Sequence, residues 1–197
     1  MSSTVAGGPV AKADFITDRQ GNVKLALGVN VNGERKVFRF VEEGRTWSEV
    51  PSETFGEGYY PLTFDESGSS LLFLDDKDSD IQGLFKLDIG SGKQTLLYRD
   101  DKVDITDVEF NLDRSNAYAI RVDPDYPTYV MLDKKSEEAK VFRFLLKIFP
   151  GYKINITSQS RDGNLWMIYA NNDRSAGSYY LYNKKTNKFA LLFSNFS

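Results

Sequence analysis

The chain has 197 residues, 41% hydrophobic and 27% charged, a composition typical of an ordered soluble protein long enough to bury a sizeable core. Its net charge of −3 offers no electrostatic footprint for nucleic acid or an anionic membrane, and no apolar run approaches the roughly 20 residues of a membrane span. Cysteine and histidine are absent, which excludes disulfides, a Ser-His-Asp catalytic site built from this chain, and a zinc site of the usual Cys/His kind.

Residues 1–13 are small and weakly polar, lack the basic and apolar regions of a signal peptide, and read as a flexible start. They leave the compartment open between cytoplasm and periplasm. From there the chain repeats. A tight-turn residue recurs at Gly21, Gly68, Arg114 and Gly163, in steps of 47, 46 and 49 residues. Periods of this size are the signature of solenoids, propellers and arrays. The first repeat (14–55) carries strand-like runs at 23–29, 37–40 and 47–50. The second (56–101) alternates apolar and polar residues over Leu84-Phe85-Lys86-Leu87 and turns at Gly90 and Gly92. In the third (102–150), strands at 105–110, 117–122 and 128–132 are followed by a different pattern. Ala139, Phe142, Leu145, Leu146 and Phe149 fall at offsets of three and four, one face of a helix. Ser136 caps its start, Glu137 and Glu138 suit the positive end of its dipole, and Pro150-Gly151 stops it. The fourth repeat (151–197) returns to strands, closing on Phe189 to Phe193. The expected fold is all-β and of β-propeller type. It has about four blades of four antiparallel strands in a partial ring, with one inserted amphipathic helix near 136–149.

With the repeats placed, three runs carry a resemblance. The segment from Asn171 through Asp173-Arg174 to Tyr182 resembles one late in the propeller of prolyl oligopeptidase-family serine peptidases. The run Asp104 to Phe110, and the helix followed by Pro150-Gly151 and Ser160-Arg161-Asp162-Gly163, resemble the acylaminoacyl-peptidase and dipeptidyl-aminopeptidase-like branch. The resemblance implies a seven- or eight-bladed propeller capping an α/β-hydrolase domain that holds the Ser-Asp-His triad. The propeller would restrict entry to short peptides. This chain has four repeats, no Gly-x-Ser-x-Gly nucleophile elbow and no histidine, so no catalytic residue is assigned in it. The expected role is a non-catalytic segment that gates or orients peptides, with the parent's hydrolase domain and the peptide as partners. A free-standing protein- or peptide-binding propeller module is the alternative. Uncovered blade faces also make self-association an expectation.

The candidate substrate contacts lie in one loop. Asp123-Pro124-Asp125-Tyr126-Pro127 is rigid, acidic and aromatic, and a carboxylate there would attract a peptide's amino terminus. Asp123, Asp125 and Tyr126 are therefore candidates. So is Arg121, which would counter a peptide carboxylate or, as the stronger reading, pair with Asp123. Asp76, Asp78 and Asp80 match the first three ligand positions of an EF-hand loop, but Ile81 stands where glycine is needed and Leu87 where glutamate is. A solvated loop is the better reading, and no metal or cofactor is expected. Phe73, Phe85, Tyr98, Phe110, Tyr180 and Phe193 read as blade core. Asn155-Ile156-Thr157 and Asn195-Phe196-Ser197 match the glycosylation sequon, and for the first, which falls in a predicted strand, chance is the better account. Paired carboxylates of glycosidase type are available in any chain with 28 acidic residues and single out nothing.

Overall fold

The computed structural model describes residues 7–194, and the second sequon lies outside them. The chain divides into two compact units, residues 1–99 and 100–197. Unit 1 opens with β1 (Asp14–Thr17), β2 (Val23–Val29), β3 (Arg35–Val41) and β4 (Thr46–Glu49). After a 3-10 turn at Ser52–Thr54 come β5 (Tyr60–Phe64), β6 (Ser70–Asp75), β7 (Gly83–Asp88) and β8 (Gln94–Tyr98). Each set of four forms one antiparallel sheet in sequence order, the meander of a propeller blade.

One face of the first sheet presents Leu25 and Val37. One face of the second presents Phe64, Leu71, Phe73 and Phe85. Together they make the buried core of unit 1. Two arginines tie the sheets together at its margins. Arg39 donates to the Ile89 carbonyl at 2.9 Å, and Arg35 donates to the carbonyls of Glu57 and Tyr59 while its guanidinium lies 4.2 Å over the Tyr59 ring. Ahead of β1, the Gly7 carbonyl accepts the Trp47 indole N–H.

Unit 2 begins with a smaller sheet of three strands, β9 (Ile105–Phe110), β10 (Ala117–Val122) and β11 (Thr128–Met131). Among the described residues this third sheet has no fourth strand. Helix α1 (Glu137–Ile148) follows β11 in its place, so the expectation of four strands per blade holds for three sheets and not for this one. β12 (Lys153–Gln159), β13 (Leu165–Asn172), β14 (Ser175–Asn183) and β15 (Lys188–Ser194) form the fourth sheet. The helix forms as its sequence dictates. The Ser136 hydroxyl accepts the Ala139 N–H at 3.2 Å, and Lys147 sits in the last turn. Its apolar face buries Ala139, Val141, Phe142 and Leu145 against Tyr118 and Ala119 of β10 and Ile154, Trp166 and Ile168 of the fourth sheet. β10 is buried along its whole length, because the helix covers it as well as the neighbouring strands.

The four markers are one structural device. Gly21, Gly68, Arg114 and Gly163 all adopt positive φ, between 58° and 82°. Each N–H bonds the carbonyl three residues back, on Asp18, Asp65, Asn111 and Ser160, at 2.8–3.0 Å. Those same four side chains accept backbone N–H groups across the turn, for example Asn22 to Asp18 at 2.9 Å and Leu165 to Ser160 at 3.0 Å. One turn design thus joins the first and second strands of all four sheets. Of the aromatics read as core, Phe73 and Phe85 are buried. Phe193, on the outer strand β15, is 54% exposed and stacks on Tyr179 at 4.6 Å.

Candidate functional site

β10 delivers Arg121 to the inside of unit 2. The register places Arg121 opposite Asp107 on β9 and opposite Tyr129 on β11, so three strands converge on one guanidinium. Arg121 is only 8% exposed. Its Nη1 lies 3.4 Å from Asp107 Oδ2 and its Nε 3.3 Å from Asp123 Oδ1. Lys153, at the start of β12, approaches the other Asp123 oxygen at 3.5 Å. The Tyr129 hydroxyl accepts the Ile154 N–H at 3.2 Å and joins the third sheet to the fourth. Burial pushes the Tyr129 phenol up, with the Ile154 N–H and Arg121 opposing.

Glu109 completes the cluster. It precedes Phe110 on β9 and pairs with Ala119, whose small side chain leaves room for the carboxyl group. Glu109 is 8% exposed, and its Oε1 has no hydrogen-bond partner among the described residues. Burial first, then the Asp107 charge, pushes its carboxyl up to about 7, against the pull of Arg121.

The four predicted contact residues divide. Arg121 and Asp123 are ion-paired in this cluster. Asp125 and Tyr126 are exposed in the β10–β11 loop, Tyr126 by 66%, and the Tyr126 carbonyl accepts from the Thr128 hydroxyl at 3.2 Å. An exposed acidic–aromatic pair thus rides on a loop whose first residue lies within ion-pair distance of a buried arginine, without a hydrogen bond between its Oδ1 and the Nε. Glu109 escaped the sequence reading because a lone acidic residue between Val108 and Phe110 has the pattern of any outward-facing strand position. A signal was present in the opposing strand, where Ala117-Tyr118-Ala119-Ile120 leaves no polar face.

Elsewhere, the acidic loop 75–80 is a structural clasp. Asp75 is fully buried and both its oxygens accept the Gly56 N–H at 3.0 Å, while Asp76 accepts from Gly58 at 3.0 Å. Among the described residues, no three His, Cys, Asp or Glu side chains gather as a metal set. A cleft of about 480 Å³ in unit 1 is lined by Arg35, Lys36, Val50, Phe55 and Tyr59, but Arg35 is already bonded to backbone carbonyls. The Asp173–Arg174 pair, at 4.0 Å, is almost wholly exposed. Among the described residues no helix is long and apolar enough to cross a membrane.

Consecutive antiparallel meanders opened by one repeated turn define the class as a propeller-type repeat array. Within that class, the sequence is 25% identical over 190 residues to dipeptidyl aminopeptidase BIII of Pseudoxanthomonas mexicana. The match takes in 92% of this chain and 26% of that protein, so the chain spans about a quarter of the length of the curated relative. The likeness is to a peptidase of the kind that the 104–110 and 171–182 runs resemble. No family model matches the chain. Structural neighbours include puromycin hydrolase, as an S511A mutant complexed with PGG, at a TM-score of 0.47 and 13% identity, covering 94% of this chain and 29% of that one. TolB from Acinetobacter baumannii has a TM-score of 0.45 and 14% identity, covering 87% of this chain and 40% of that one.

Proposed function

We propose that this chain is a non-catalytic propeller segment of a prolyl oligopeptidase-family serine peptidase, which gates or orients peptides for an α/β-hydrolase domain of the parent protein. The observation that carries the reading is the sequence match to dipeptidyl aminopeptidase BIII along 92% of the chain. The absence of histidine supports the division of labour, because the triad's general base must come from elsewhere. On this reading the four repeats run 14–55, 56–101, 102–150 and 151–197. Asp125 and Tyr126 meet the peptide, and Arg121 with Asp123 positions their loop.

The 197-residue chain should therefore leave chromogenic dipeptide substrates intact, while its parent cleaves them. Hydrolysis by the chain alone would overturn the assignment. In the parent, Asp125→Asn should raise KM several-fold with kcat little changed. An unchanged KM removes Asp125 from the substrate path.

A second reading is a protein-interaction module, including self-association. Exposed Leu191, Phe193 and Leu96 on the outer strands β15 and β8 favour it. Sedimentation equilibrium tests its self-association arm, since a strict monomer at high concentration counts against it, and capture of a stable protein partner by this chain would favour the module.

A further inference from the structure

The cluster around Arg121 holds more carboxylates than cations. Asp107 on β9, Asp123 in the β10–β11 loop and Glu109 on β9 face Arg121 on β10 and Lys153 on β12. Among the described residues, Tyr118 on β10 and Tyr129 on β11 are further titratable neighbours of Glu109, and Glu138 of α1 acts electrostatically on Tyr118. With every carboxyl ionised the set carries one excess negative charge. With Glu109 protonated it is balanced. The geometry agrees in part: Arg121 lies within ion-pair distance of Asp107 and Asp123, though the Nε–Oδ1 approach to Asp123 is not a hydrogen bond, and Glu109 Oε1 is buried with no hydrogen-bond partner among the described residues. A buried carboxylate in that position is costly, and its neutral form is not.

We propose that Glu109 is a pH-sensitive switch that sets how firmly Arg121 holds Asp123, and through Asp123 the order of the 123–127 loop. When Glu109 is neutral, Arg121 is shared by two carboxylates and pins the base of the loop. When Glu109 ionises, a third carboxylate competes for the same guanidinium. Lys153 alone, 3.5 Å away and partly exposed, is left as the main partner of Asp123. The direction of the Glu109 shift, raised by burial and by Asp107, supports a transition close to neutrality. Nothing in the device requires the loop to touch a peptide, so it stands or falls apart from the proposed function.

Two measurements on the full chain test it. Carbon-13 NMR of the Glu109 side-chain carboxyl should show its midpoint near neutral pH, and a midpoint close to the ordinary glutamate value would overturn the proposal. Hydrogen exchange of the Arg121 Nε proton and of the Asp123, Asp125 and Tyr126 amides should accelerate several-fold between pH 6 and 8 beyond the intrinsic base-catalysed rise. Glu109→Gln should abolish that excess, and equal excess in both proteins would overturn the switch. A merely structural Glu109 would alter stability without moving the loop's exchange. Should Glu109→Gln fail to fold, the wild-type carboxyl titration and the loop's exchange profile still decide, since both must share one midpoint.

Discussion

A single residue in the left-handed region opens each sheet, yet the four positions are not equally demanding. At Gly163, with φ +67°, an added Cβ would meet nothing closer than Gln159 Oε1 at 3.8 Å, so alanine there costs only the backbone conformation. That is about 1 kcal/mol. At Gly68, with φ +69°, the same Cβ would come 3.2 Å from Asp18 Cβ and 3.3 Å from its Oδ2. Asp18 is itself held by Asn22, Gln20 and Lys24, so it has little freedom to move. Chemical denaturation should therefore rank Gly68→Ala below Gly163→Ala in stability. Equal losses would mean that the close approach is relieved without cost. Arg114 shows what a side chain at this position needs. It tolerates φ +58° with its guanidinium spread over Phe110 at 4.5 Å.

At the scale of elements, α1 shows how much is legible in the sequence. Its cap at Ser136 and its stop ahead of Pro150 are local signals with their predicted place, and Ala139, Phe142 and Leu145 of its apolar offsets are buried, whereas Leu146 and Phe149 are only partly so and Val141, outside those offsets, is buried too. Ser136→Ala should cost about 1 kcal/mol in a denaturant titration, because it orphans the Ala139 N–H. A null result would show that water or Asp133 replaces the cap. Phe142→Ala should cost more, about 3–5 kcal/mol, since the ring is fully buried between Tyr118 and Tyr129 at 5.4 and 5.0 Å. The repeat and most strands were equally legible, through turn residues and alternation. β1 was not, because Asp-Phe-Ile-Thr is short and has no marker ahead of it. The exposure of Phe193 and the burial of Glu109 were not legible either. Both depend on which face of a strand a neighbouring element covers, and that is decided between sheets rather than along the chain.

For the whole molecule, the residue inventory and the pattern of carboxyl shifts combine into one pH profile. The absence of histidine and cysteine leaves few groups able to titrate near neutrality, the α-amino group aside. Glu109, raised to about 7, is one of them. Below the ordinary glutamate value near 4.5 it is protonated in both folded and unfolded chains. As pH rises from there to about 7 the unfolded chain releases the proton and the folded one retains it, so stability falls, by about 3 kcal/mol if the full shift is realised. Asp75, also raised by burial, acts with the same sign. The opposite limb comes from carboxylates held low. Hydrogen bonds from Lys140 and Lys184 bring Glu137 down to about 2, and those from Ser160 and Asn164 do the same for Asp162. Asp18, Asp65, Asp88 and Asp133 are lowered too. Their contribution is complete above the unfolded values near 4 and is lost as pH falls toward 2. Opposed limbs place the maximum near pH 5, on the acidic side of the usual range for a folded domain. Thermal unfolding across pH 2 to 8 should show that dome, with midpoints declining from pH 5.5 to 7.5. A midpoint that climbs over that interval would mean that Glu109 is ionised in the folded chain at neutral pH and that its neighbours compensate the charge.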